Sequence, residues 1–268
     1  MRIRFSDTIG EVRTVAELAA ALAERTRPER AAAWDPAGLQ LGDPDAPVAS
    51  VAVCHEVTEA VVAALTNDPV DLLVTYHPVL FNPTTRLLAG RSPEARAWRL
   101  IRLGVNLLVT HTDFDASPGG TSDALADLLG LHEVEPFGGD PEESFPDIGR
   151  VGVFDSSLGA LDAIVSDAFG SAGLRITGDR ERHLHRVAVV PGSGADFIEE
   201  VARIADALVT GDVSHHRTVR AADMGLAIVD PGHTATERPG MERLVKMVSE
   251  VAGVDVRDLT VFDPRTWT

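Results

Sequence analysis

Short apolar runs, β-branched or leucine-rich, alternate along the chain with segments whose apolar residues recur at helical spacing. The runs predict strands near Val51–Cys54, Leu72–Thr75, Val105–Thr110, Val151–Phe154, Val187–Val190, Leu208–Thr210 and Ala227–Val229. Between them the helix starts are chemically marked. Thr14 with Glu17 has the capping-box pattern before VAELAAALAE, and Ser92 before Pro93 pairs an N-cap with a proline at the first helical position. Further helices are expected over Thr58–Leu65, Thr121–Leu129, Ser157–Phe169, Asp196–Ile204, His215–Met224 and Met241–Val251. Such alternation predicts an α/β protein with largely parallel or mixed sheets flanked by helices. The segment Gly130–Arg150, rich in proline, glycine and acidic residues, interrupts the rhythm and reads as a linker or domain boundary.

Composition narrows the function. The 268 residues carry 24 Lys and Arg against 41 Asp and Glu, a net charge of −17, which repels nucleic-acid backbones and anionic lipid and makes both unlikely as partners. No apolar run approaches the roughly 18 residues of a membrane span, and the opening MRIRFSDTIGEVRT has no apolar signal core. Cys54 is the only cysteine, which excludes an intramolecular disulfide and a multi-thiolate metal site. A cytoplasmic protein is the expectation.

Candidate chemistry gathers where strands end. DLLVTYHP, NLLVTHTDFD, DALVTGDVSHH and GLAIVDPGHTATE each run an apolar strand into a polar cluster, and in open α/β sheets ligands bind beyond the carboxyl ends of strands. Imidazoles and carboxylates are ligands for divalent transition metals, so His77, His111, Asp115, His233 and Glu237 suggest a metal site. The His-x-x-x-acid spacing of His111/Asp115 and His233/Glu237 also occurs at His55/Glu59 and is weak alone. The turn residues Pro118-Gly119-Gly120 and Pro231-Gly232 beside the first two pairs strengthen the reading. His55 reads as a loop or helix-cap residue, His183 and His185 as part of a solvated edge, and His132 as surface. His215 and His216 could orient ligands, act as a general base or cap a turn. Gly192-Ser193-Gly194 suggests a phosphate-friendly turn but lacks the third glycine and the lysine of a phosphate loop. Cys54 reads as a core residue.

Five collinear boxes carry a family resemblance. WDPAGLQLGD, YHPVLF, HTDFDASPGGTSDALA, TGDVSHH and DPGHTATE resemble, in order, the motifs of the YbgI/YqfO-type dinuclear-metal family, known as GTP cyclohydrolase 1 type 2 homologues or NGG-interacting-factor-three-like proteins. The resemblance implies two α/β domains with a metal site in the interdomain cleft, divided here as residues 1–129 with 230–268 and residues 130–229. It also implies two divalent ions per chain and a homohexamer, in the short form without an inserted domain. His77, Asp115, His233 and Glu237 fall on the family's ligands, with His111 beside them and Glu237 as the bridging carboxylate. Tyr76 departs from the first histidine of the family's H-H-P box; it either ligates a metal or packs and hydrogen-bonds near the cleft. The expected activity is hydrolysis of a small, phosphorylated or nucleotide substrate, with Asp212 or His216 carrying protons. The alternative is a non-enzymatic metal-binding ring serving as store, chaperone or regulatory scaffold.

Overall fold

A computed structural model describes residues 13–140, 142 and 145–261. The elements are, in chain order, α1 (Val15–Thr26), β1 (Gly38–Leu41), β2 (Val51–Cys54), α2 (Glu59–Asn67), β3 (Leu72–Thr75), α3 (Pro93–Leu103), β4 (Asn106–Val109), α4 (Thr112–Ala116) and α5 (Thr121–Leu128). They continue with β5 (His132–Phe137), β6 (Gly149–Ser157), α6 (Leu158–Phe169), β7 (Arg175–Thr177), β8 (His183–Val189), α7 (Ile198–Ile204), β9 (Ala207–Val209), α8 (His215–Asp223), β10 (Ala227–Asp230), α9 (His233–Ala252) and β11 (Val256–Asp258). Two mixed sheets result, ordered β1-β4-β3-β2-β11 and β5-β6-β8-β9-β10-β7.

In the first sheet β4, β3, β2 and β11 run parallel, and β1 closes one edge antiparallel to β4. Every residue of β2, β3 and β4 is buried, as continuous apolar strands covered on both faces must be. One face packs against α2 and α3 through Val61, Leu65, Ala97 and Leu100, and the other against α1 and α9 through Leu18, Leu22, Met241 and Leu244. In the second sheet β8, β9 and β10 are parallel, with antiparallel strands outside them. The predicted caps form as expected. Thr14 and Glu17 exchange both capping-box bonds, and the side chains of Thr58, Ser92, Ser157 and Ser214 each accept from a backbone N–H in the first turn of their helices.

Two sequence expectations change. The interruption Gly130–Arg150 contains β5, an edge strand whose first five residues are exposed. Its acidic residues and Pro136 blunt a free edge, which hides the strand from an apolar-periodicity reading. The last helix begins at His233 rather than Met241, running through Pro239. That proline forfeits one backbone bond, to the carbonyl of Ala235, and tertiary packing of Thr236, Glu237, Gly240 and Met241 holds the helix across the gap.

Candidate metal centre

Three neighbouring parallel strands of the first sheet end side by side and release His55 after β2, Tyr76 and His77 after β3, and His111 after β4. From the second sheet, β10 turns at Pro231 and Gly232 and starts α9, whose first two turns present His233 and Glu237 on one face, four residues apart. Thr236 fixes that turn: its hydroxyl accepts from the Gly192 N–H at 2.9 Å and donates to the His233 carbonyl at 2.6 Å.

Glu237 is the centre of the cluster, only 2% exposed. His55 Nε2 lies 2.7 Å and His77 Nε2 3.3 Å from its Oε2, whereas His233 Nε2 lies 2.9 Å from Oε1. Asp212 Oδ2 meets the other ring nitrogen of His233 at 2.8 Å. His55, His77 and Glu237 together satisfy the spacing of a cation site, with their ligand atoms within 4.8 Å of one another. Neutral imidazoles with a carboxylate and no thiolate suit zinc, manganese or iron of the borderline divalent class. Close backbone approach is part of the construction. Gly192, at φ 69°, leaves the space beside Glu237 Oε1 that a Cβ would enter at 2.7 Å.

The electrostatics follow from burial against pairing. Burial of Glu237 favours its neutral form, but His77, His233 and His55 outweigh it and hold the carboxyl well below its usual range. Burial pulls His77 down, leaving a neutral, ligand-competent ring. Burial acts in the same direction on His233, yet Glu237 and Asp212 prevail and raise it to about 9.

Tyr76 and Asp115 form a second buried pair beside this group. The Tyr76 hydroxyl donates to Asp115 Oδ1 at 2.6 Å, and the ring stacks on His55 with centroids 5.6 Å apart. Burial, then the charge of Asp115, pushes the phenol well above its ordinary pKa, so it is neutral. Burial raises Asp115 to about 7 against the opposing pull of His111 and the Tyr76 bond. His111 Nδ1 stands 3.1 Å from Asp35 Oδ1 without hydrogen-bond alignment, and the His111 ring lies 5.2 Å from that of His77.

The structure thus gathers His77, His111, Asp115, His233, Glu237, Tyr76 and Asp212 around one locus. His216 is different: it is exposed near the start of α8, its ring beside His215, and no hydrogen bond or ion pair among the described residues joins it to the cluster. His55 and Asp35 belong to the locus although neither was singled out by sequence pattern. His55 meets Glu237 across 182 residues of chain, a relation no local spacing encodes. Asp35 could have been found in the WDPAGLQLGD box, where its carboxylate accepts from the Thr112 N–H at 2.9 Å. The turn at Gly192-Ser193-Gly194 is not a phosphate cradle. The Gly192 and Gly194 amides donate to Thr236 and Thr210. Cys54, fully buried, has its thiol pushed up to about 12 by burial and is a core residue.

Comparison with known proteins bears on the family and the fold. Residues 13–262 match the family described as Duf34/NIF3 (NGG1p interacting factor 3). A GTP cyclohydrolase 1 type 2 homolog of Streptomyces coelicolor is 34% identical over 254 residues, covering 90% of this chain and 88% of that one. One of Clostridium perfringens is 31% identical over 230 residues, covering 83% and 86%. The crystal structure of a Bacillus cereus protein related to NIF3 superposes with a TM-score of 0.83 at 20% identity, covering 97% of this chain and 100% of that one.

Proposed function

The chain belongs to the Duf34/NIF3 family, and from that premise we propose that it is a hydrolase of a small phosphorylated or nucleotide substrate, dependent on two divalent metal ions. One observation carries this reading: the two oxygens of buried Glu237 face different histidines, Oε2 towards His55 and His77 and Oε1 towards His233, the disposition of a bridging carboxylate. His55, His77 and Glu237 would hold one ion, and His233 with the other oxygen of Glu237 would contribute to a second, for which His111 and Asp115 are the remaining candidate ligands. Bound divalent ions lower the pKa of coordinated water and polarise a substrate oxygen.

The remaining steps rest on the protein. Asp212 anchors His233 from behind through its second ring nitrogen, fixing the ring's orientation, and stands exposed where it can take up or release a proton. Tyr76, neutral and bonded to Asp115, supports the hydrogen-bonding alternative over metal ligation and aims that carboxylate at the site. A cavity of about 330 Å³ opens beside His55 and is lined by Thr234, Arg238, Met241, Glu242, Asp258 and Thr260. The Thr234 hydroxyl there is buried with no partner among the described residues, and Arg238 is the cation of this lining, beside Glu242 and Asp258. Of the arginines that flank the motifs, Arg86, Arg91, Arg217, Arg220 and Arg238, the pair Arg217 and Arg220 is engaged by Asp196 and Glu199, and of the others Arg238 lines this cavity, which favours it for a phosphate.

Two measurements test the reading. Elemental analysis after reloading should find two divalent ions per chain, and Glu237→Gln should lose most of both; full metal content in that variant would overturn the ligand assignment. Incubation of the loaded protein with GTP and a panel of phosphoesters should release formate or phosphate, with Arg238→Ala raising KM about tenfold or more. Metal binding without turnover on any substrate would transfer the site to the metal-store reading.

A further inference from the structure

A buried carboxylate stands behind His111. Asp35, in the loop before β1, has a fully enclosed side chain whose two oxygens are in different situations. Oδ2 holds two donors: it accepts from the Thr112 N–H at 2.9 Å and from the Thr112 hydroxyl, which itself accepts from the Ala32 N–H at 3.0 Å. Oδ1 is buried with no hydrogen-bond partner among the described residues. The atom it faces, His111 Nδ1 at 3.1 Å, is in the same condition. Each of the two forfeits a hydrogen bond that water would supply, and a native site that leaves such atoms open against each other calls for an explanation.

The surroundings leave one motion that joins them. The His111 N–H donates to Asp113 Oδ1 at 2.6 Å and the next N–H, of Thr112, donates to Asp35, so the chain is held on both sides of the ring. The carboxylate is pinned through Oδ2. Rotation of the imidazole about its own side-chain bonds is what brings an Nδ1–H into line with Oδ1. A ring held in this way carries its proton on Nδ1 and keeps the lone pair of Nε2 for the centre, where the rings of Tyr76 and His77 lie 5.3 and 5.2 Å from its own. Metal-ligating imidazoles donate their second N–H to a carboxylate or carbonyl, and removing that partner costs roughly 10–100-fold in affinity.

We propose that Asp35 is the positioning residue of His111: it takes the Nδ1 proton, fixes the neutral ring in one tautomer and thereby makes Nε2 the nitrogen offered to the second ion. The offer to an ion rests on the dinuclear reading above, whereas the tautomer is a property of the metal-free chain.

The test reads the ring itself. Long-range ¹H–¹⁵N spectra of the chelated full chain, at a pH alkaline enough for the imidazole to be neutral and with His111→Gln to assign the signal, should show His111 as the Nδ1–H tautomer. Asp35→Ala should move it to the Nε2–H form. Thr112→Val, which removes one bond to Asp35 but leaves Oδ1 in place, should not. A wild-type Nε2–H ring, or an unchanged Nδ1–H ring in Asp35→Ala, would overturn the proposal, and the wild-type spectrum decides even where that variant does not fold. In the zinc-loaded chain, competition with a chelator should show one ion weakened about tenfold or more by Asp35→Ala, and the ion on His55, His77 and Glu237 unchanged. Equal affinity for both ions in the variant and wild type would overturn the assignment of Nε2 to the metal. A wild-type chain that takes up one ion only would instead sink the dinuclear reading and leave the tautomer standing.

Discussion

At the residue scale the arrangement turns on which groups answer for Glu237 and Asp115. Tyr76 is only 1% exposed and its hydroxyl donates to the buried Asp115 carboxylate. Tyr76→Phe keeps the ring stacked on His55 but leaves that acceptor without its donor. A loss of about 1–3 kcal/mol in urea unfolding is expected, with metal content retained; loss of an ion in this variant would instead make the phenol a ligand. His233 sets the alkaline limit of the metal-free protein. Its pKa is about 9 in the fold against 6.5 free, so its contribution is fully present below pH 6.5 and is lost as pH rises through 9. Asp115, raised from 3.8 to about 7, acts at lower pH, where stability falls as its proton is given up. Chelated protein should therefore show a falling urea midpoint from pH 6.5 to 9. His233→Gln should flatten that slope, and parallel slopes in the two proteins would refute the assignment.

At the element scale, α9 joins the two sheets to one site and depends on a close contact. A Cβ on Gly240 would stand 2.7 Å from the Thr121 side chain and 2.8 Å from its Cα, so α5 and α9 touch backbone to backbone. Gly240→Ala gains about 1 kcal/mol of helix propensity but must separate the helices, and a net loss of about 1–3 kcal/mol in chemical unfolding is expected. A neutral or stabilising result would mean that α5 yields freely. The same helix shows where sequence reading succeeds and where it stops. Fully buried parallel strands such as Leu72–Thr75 and capped helix starts such as Ser92-Pro93 are written in local chemistry and emerge within a residue of their expected bounds. The first two turns of α9 are not: Pro231, Gly232 and Pro239 mark a loop locally, while long-range burial of Thr236 and Glu237 makes a helix. β5 stayed hidden because an edge strand is polar by necessity. At the site, histidines and acids following strands were legible from position; His55 follows a strand too, but its part in the cluster comes from a long-range contact with Glu237 on α9 that no local spacing encodes.

At the scale of the molecule, an exposed aromatic pair stands beside the centre of an acidic chain. Trp34 and Phe81 are 52% and 49% exposed with ring centroids 5.6 Å apart, and Trp34 lies 6.1 Å from the His111 ring. An aromatic pair of this size is costly in water and characteristic of surfaces covered by another chain. No helix among the described residues is long and apolar enough to cross a membrane. We propose self-association as what covers the aromatic pair, since closed symmetry lets one patch meet another without leaving a free end. The homohexamer implied by the family motifs is our proposal for this assembly. Light scattering should then give six times the 28.5 kDa of one chain. Phe81→Asp, which buries a charge in the contact without touching a metal ligand, should lower that mass while the metal content of each chain stays near wild type. Because Trp34 borders His111, dissociation should also open the centre to solvent and speed metal loss to chelator. A wild-type mass of one chain, or a Phe81→Asp protein of unchanged mass, would leave the aromatic pair to the substrate instead.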